Sequence, residues 1–139
     1  MSILGRCIVP GSADLLQNLP HRICVIDDDT GVRESLKILL ESHGFDVVTF
    51  SSAAEFFSTP CDYRCLILDH NMPVTSGLEL LELLRMSGIE TPALLMIDKR
   101  EPALVPRIGK VSACTVLRKP ITESDLIRAV TAGHRAGAL

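Results

Sequence analysis

Tryptophan is absent from the 139-residue chain, and aromatic residues make up only 4% of it. A core built from this composition has to be aliphatic. Charge is sparse too: 22% of residues are charged, the formal net charge is -3, and no Lys/Arg run stands out. Binding DNA or RNA needs clustered cations to neutralise phosphates, so direct nucleic acid binding by this chain is not expected. No apolar stretch approaches the roughly 20 residues of a transmembrane helix, and none precedes a small-residue cleavage site, so neither a membrane span nor a secretory leader is expected. The five cysteines, Cys7, Cys24, Cys61, Cys65 and Cys114, are odd in number and do not form a disulfide framework. Cys61 and Cys65 lack the second Cys/His pair that a zinc site would require. Cys24, Cys65 and Cys114 lie in strand-like apolar runs and read as buried reduced thiols, which fits a cytoplasmic protein.

What is present is aliphatic and ordered. Hydrophobic residues reach 47%, enough for one domain with a real core. The organising stretch is Cys65-Leu66-Ile67-Leu68-Asp69-His70-Asn71-Met72-Pro73-Val74-Thr75-Ser76-Gly77. An apolar run stops at one carboxylate, and a Pro-containing turn leads to a helix start. Such a run reads as a buried strand, which puts Asp69 just beyond its carboxyl end. A lone Asp there is equally well explained as a turn cap.

Residues 1–21 show no sustained period and read as a flexible arm; 22–135 form the folded domain, and 136–139 a short tail. Strands are expected at 22–26, 46–50, 64–68, 93–97 and 113–117. Val32, Leu36, Leu39 and Leu40 share one face at helical spacing, with Asp29 or Thr30 as cap and Gly44 at the end. Ser52 and Glu55 form a capping-box pattern on a short helix. A Leu-rich helix is expected over 76–87, closed by Gly88, and a last helix from Thr122, with Leu126, Ile127 and Val130 on its apolar side. Between Asp98 and Lys110, Pro102 fits a first turn but Pro106 does not fit a helix interior, so a short or kinked helix is expected. The strands are apolar without alternation, which calls for helices on both faces of a parallel sheet: an α/β, doubly wound architecture.

In such a sheet every strand's carboxyl end lies on one edge. Asp27, Asp28, Asp69, Asp98 and Lys119 all follow apolar strands, so all five converge there. Carboxylates gathered at one edge repel unless a cation relieves them, and Mg²⁺ takes oxygen ligands while keeping positions for water and phosphate. Helix capping accounts for one or two of the acids but not for Lys119-Pro120 at the same edge.

Three features, Val25-Ile26-Asp27-Asp28, Leu68-Asp69-His70-Asn71-Met72-Pro73 with Gly77 after it, and Lys119-Pro120, in this order and spacing, resemble the receiver domain of bacterial two-component response regulators. The resemblance covers about residues 22–130. It implies a flavodoxin-like five-stranded parallel sheet of order 2-1-3-4-5 with helices on both faces. By position it makes Asp69 the phosphoacceptor. Asp27, Asp28, Asp69 and the Asn71 backbone carbonyl become the Mg²⁺ ligands, and Lys119 the phosphate contact. Pro120 becomes a cis-peptide candidate. It implies a regulatory module and not an enzyme, with at most slow self-dephosphorylation. A sensor histidine kinase or phosphotransfer protein would supply the phosphoryl group, and a downstream effector protein would read it. A homodimer is left open.

Some positions depart from that pattern. Where the family has a Ser or Thr at the end of the fourth strand, this chain has Ile97, which has no donor. Its neighbour Asp98, when ionised, only accepts. The strand-five position that often carries a swinging aromatic is Val116, a stiff β-branched residue. Ile97, Asp98 and Val116 therefore mark an atypical switch. They leave room for a degenerate receiver that signals without phosphorylation, or for a phosphate sink or relay. His70 reads as a solvated loop residue, and His21, His43 and His134 as boundary residues without partners. Asp27-Asp28-Asp29 also resembles the D-x-D start of haloacid-dehalogenase-type phosphatases, but Gly31 stands where that motif has Thr or Val.

Overall fold

A computed structural model describes residues 22–98 and 101–137. Five strands alternate with helices: β1 (Arg22–Ile26), α1 (Thr30–Ser42), β2 (Asp46–Phe50), α2 (Ala53–Ser58), β3 (Cys65–Asp69), α3 (Gly77–Met86), β4 (Ala93–Ile97), α4 (Val105–Ile108), β5 (Cys114–Arg118) and α5 (Glu123–Gly137). The sheet is five-stranded in the order β2-β1-β3-β4-β5, and every pairing is parallel. This is the expected doubly wound order. The arm expected at 1–21 and the end of the tail lie outside the described residues.

The apolar runs of β1, β3 and β4 bury side chains on both faces. One face carries Cys24, Ile26, Leu66, Leu68, Leu95 and Ile97 against Phe50, Phe56 and the α3 leucines Leu78, Leu81 and Leu84. The other carries Ile23, Val25, Ile67, Leu94 and Met96 against Leu40 of α1 and Leu126 and Val130 of α5. With so few aromatics, Phe50, Phe56 and Tyr63 gather in one place, with ring centroids 5.7 Å and 5.6 Å apart.

The expected caps form, with one variation. Asp29 Oδ1 accepts from the Val32 N–H at 3.1 Å, and Gly44, with φ +91°, follows the α1 C-cap. Ser76 and Glu79 make a reciprocal capping box at α3. At α2, Ser52 Oγ accepts from the Glu55 N–H, but the Glu55 carboxylate reaches back to the Ser51 N–H at 2.6 Å. The box expected on Ser52 is thus shared with the residue before it.

Other expectations are corrected. The third strand runs one residue later than 64–68, because Asp69 pairs with Met96 and the His70 N–H donates to the Met96 carbonyl. The fifth also runs one residue later than 113–117, since Ala113 sits in the left-handed region at φ +52° and turns the chain in. β5 is not buried on both faces: as an edge strand its residues are half-buried or exposed, Cys114 included. Val32 is exposed on α1 instead of sharing the core with Leu40. The segment around Pro102 and Pro106 is a 3₁₀ turn at Pro102–Leu104 followed by the single turn of α4, as the two prolines require.

At the amino end of β4 and β5 one side chain ties the loops together. The Arg85 guanidinium donates to the carbonyls of Ile89 (2.8 Å), Thr91 (2.8 Å), Ser112 (2.9 Å) and Ala113 (3.2 Å). On the neighbouring surface Arg107 of α4 grips Glu82 of α3, with Nη2 2.7 Å from Oε1.

Candidate functional site

At the carboxyl edge the sheet delivers Asp27 after β1, Asp69 as the last residue of β3, and Lys119 after β5. Asp27 and Asp69 are buried and Asp28 is exposed, and their carboxylate oxygens lie within 4.8 Å of one another. Lys119 Nζ donates to Asp69 Oδ1 at 2.8 Å. The Lys119 N–H donates to the Ile97 carbonyl at 2.8 Å, which fixes where its side chain starts, and the Lys119-Pro120 bond is cis, as expected.

The backbone around each acid is held locally. Asp27 Oδ1 accepts from the Asp29 N–H at 2.9 Å, and Asp69 Oδ1 from the Asn71 N–H at 3.2 Å. The start of α3 packs directly under Asp69: a Cβ at Gly77 would lie 2.5 Å from the Asp69 carbonyl oxygen. Between them Val74 is fully exposed at φ +69°, an unusual conformation for a β-branched residue.

Charge at the site is out of balance. Burial pushes the Asp27 carboxyl up to about 6; the Asp29 N–H works against this, and the nearby Asp69 charge adds to it. For Lys119, burial acts to lower the ammonium pKa, but the hydrogen bond and charge of Asp69, with Asp27 and Asp98, outweigh it and raise it. One ammonium thus faces several carboxylates. Such a set of hard oxygen donors, short of positive charge, suits a divalent cation such as Mg²⁺.

The remaining expected positions are also placed. Ile97 is fully buried, and Val116 is half-buried against the same cluster. Asp98 is exposed, and its Oδ2 accepts from the Asn71 side-chain amide at 3.0 Å. Two histidine expectations are corrected. His70 is half-buried and not simply solvated; its Nδ1 is buried with no hydrogen-bond partner among the described residues. His43 has a partner, with Nε2 3.2 Å from Glu123 Oε2, because the end of α1 and the start of α5 meet on one face of the sheet. His21 lies outside the described residues, as does the side chain of His134.

Arg33 escaped the sequence reading. One turn into α1, it donates to the Asp27 carbonyl at 2.6 Å and to Thr30 Oγ1 at 3.1 Å. The signal was there: a cation in the first turns of a helix that starts beside the acid pair.

Comparison with known proteins agrees with this geometry. The chain is 40% identical over 118 residues to the transcriptional regulatory protein FixJ of Azorhizobium caulinodans, which covers 84% of this chain and 55% of that protein. It is 32% identical over 136 residues to the response regulator protein TodT of Pseudomonas putida, covering 91% of this chain and 59% of that one. The chain therefore spans little more than half the length of these relatives. Among solved structures it resembles full-length FixJ from B. japonicum, with TM-score 0.77 and 31% identity over 84% of this chain and 59% of that one. It also resembles a response regulator receiver domain protein from Clostridium thermocellum, with TM-score 0.74 and 27% identity over 85% and 96% of the two chains. Residues 23–131 match the response regulator receiver domain, and with the sheet order and the acidic edge described above, this chain belongs to that family.

Proposed function

We propose that Asp69 accepts a phosphoryl group and that residues 22–135 are the module that carries it. The observation that supports this best is the meeting of three carboxylates within 4.8 Å with an ammonium 2.8 Å from Asp69. A carboxylate oxygen of Asp69 attacks phosphorus; an O–P bond forms as the N–P bond of a phosphohistidine on a sensor histidine kinase or phosphotransfer protein breaks. Little covalent work falls to the protein, and positioning with charge neutralisation does most of it. Asp27, Asp28, Asp69 and the Asn71 backbone carbonyl would hold Mg²⁺. When bound, that ion supplies positive charge to the carboxylates and to the arriving phosphoryl oxygens. Lys119 gives a fixed ammonium on Asp69. Arg33 and the Asp29 N–H hold Asp27 in place from its carbonyl and carboxylate sides.

The output is a protein–protein contact with a downstream effector in the cytoplasm, through this chain or a homodimer of it. It involves neither direct nucleic acid binding by these residues nor a membrane; among the described residues no helix is long and apolar enough to cross one. A second reading, a phosphate sink or relay or a receiver that signals unphosphorylated, is favoured by one observation. Ile97 is fully buried and offers no hydroxyl to follow the phosphoryl group.

The test is incubation with acetyl phosphate and Mg²⁺ followed by intact-mass measurement. Wild type gains one phosphoryl group and Asp69→Asn gains none. If wild type gains none, the degenerate reading replaces this one.

A further inference from the structure

Asp98 contributes an exposed carboxylate beside the acidic edge, where the neighbouring Ile97 contributes no polar side chain. It is held from two directions. Its Oδ2 accepts from the Asn71 side-chain amide at 3.0 Å, and its N–H donates to Glu101 Oε2 at 3.1 Å. Asn71 in turn donates its backbone N–H to Asp69 Oδ1 at 3.2 Å. One residue therefore bridges the candidate phosphoacceptor and the exposed acid, and Lys119 feels the negative charge of both. An ionised carboxylate accepts hydrogen bonds and cannot donate them. The phosphoryl group arriving at Asp69 also brings only acceptors. The two have the same needs and the same sign of charge.

Resting on the phosphoacceptor reading of Asp69, we propose that Asp98 is a positioning residue that competes with the phosphoryl group for the donors beside Asp69, the Asn71 amide and the Lys119 ammonium. In the unphosphorylated protein it occupies the Asn71 amide and adds negative charge to the edge where the acids gather. This has two opposed consequences. The added charge strengthens the attraction for a divalent cation, and it repels an incoming phosphate group. Asp98 thus trades phosphoryl uptake against cation affinity. A residue that merely shaped the turn would not separate the two.

The experiment measures the initial rate of phosphoryl gain from acetyl phosphate by intact mass, across a Mg²⁺ titration, for wild type, Asp98→Asn and Asp98→Glu. Asp98 is exposed, so neither variant disturbs the core. For Asp98→Asn the rate at saturating Mg²⁺ rises about threefold, while the Mg²⁺ concentration giving half that rate also rises about threefold; these are sizes typical of one partly screened charge. Asp98→Glu keeps the charge and stays near wild type on both. An unchanged or slower rate for Asp98→Asn at saturating Mg²⁺ overturns the competition while leaving Asp69 as phosphoacceptor. Failure of wild type to gain a phosphoryl group overturns the phosphoacceptor reading, and the competition with it.

Discussion

Single residues in this chain are tuned by what lies directly beside them, and the cysteines show it as clearly as the acids. The thiol of Cys24, in the middle of β1, is pushed up mainly by burial. Half-buried Cys61 is lowered to about 7, because the Cys24 thiol hydrogen-bonds its sulfur and Arg22 lies near, against the opposing effect of burial. The thiolate is the reactive form, so Cys61 should alkylate at neutral pH while Cys24 stays inert. Peptide-resolved labelling with iodoacetamide should give a Cys61 rate that is half-maximal near pH 7. In Cys24→Ala the curve should move toward the ordinary thiol range. An unmoved curve would mean that the hydrogen bond is not the cause. Nothing in the sequence announced this pair. Cys24 and Cys61 are far apart along the chain, and only the return of the α2–β3 connection beside β1 brings them together.

At the scale of elements, the decisive contact is that between β3 and α3. A Cβ on Gly77 would meet the Asp69 carbonyl oxygen at 2.5 Å and its carbon at 2.8 Å, both backbone atoms that cannot step aside. Gly77→Ala should therefore cost about 1–3 kcal/mol or somewhat more in urea unfolding, the range for overpacking a rigid site. Gly109→Ala is the control: its Cβ would have only ordinary contacts, the nearest at 3.5 Å, and the change should stay within about 1 kcal/mol. Equal effects at the two positions would refute the close-approach account. The elements themselves were largely legible in the sequence. Apolar runs marked the strands, three of them closed by acids, and Asp29, Ser52, Ser76, Gly44 and Gly88 marked helix ends. What was not legible depended on partners from elsewhere in the chain. Asp69 became the last strand residue because Met96 pairs with it, and Ala113 left the fifth strand by adopting a positive φ. Likewise, the site's acids and lysine could be placed on one edge from sequence, because a parallel sheet puts them there. The Asn71–Asp98 bridge could not, since it depends on side-chain directions; for Arg33 the sequence offered its place in the first turns of α1 but not which atoms it grips.

For the molecule as a whole, the sheet divides the core into two clusters that share strands but not side chains. Leu81 of α3 and Leu40 of α1 are both fully buried, one in each cluster. Truncation of either to Ala should cost about 2–5 kcal/mol through lost burial and a residual cavity. Because the sheet separates them, the double variant should lose the sum to within about 0.5 kcal/mol, as read from denaturant unfolding. A coupling well above that would show that strain passes through the sheet from one layer to the other. The two-layer arrangement also explains why fold class was easier to read than function. Aliphatic runs and helix faces repeat the same message many times, whereas the expectation of an atypical switch rests on Ile97, Asp98 and Val116 alone.

The Arg85 pin has a consequence of a different kind. Its guanidinium is surrounded by the carbonyls of four residues, so its hydrogen bonds are all to backbone dipoles, and the nearby Glu90 carboxylate adds only a longer-range attraction. Raising the ionic strength screens the carboxylates crowded at the opposite edge of the sheet and leaves this pin in place. The two ends of one sheet therefore answer differently to salt: one end is set by its ions, the other by its backbone.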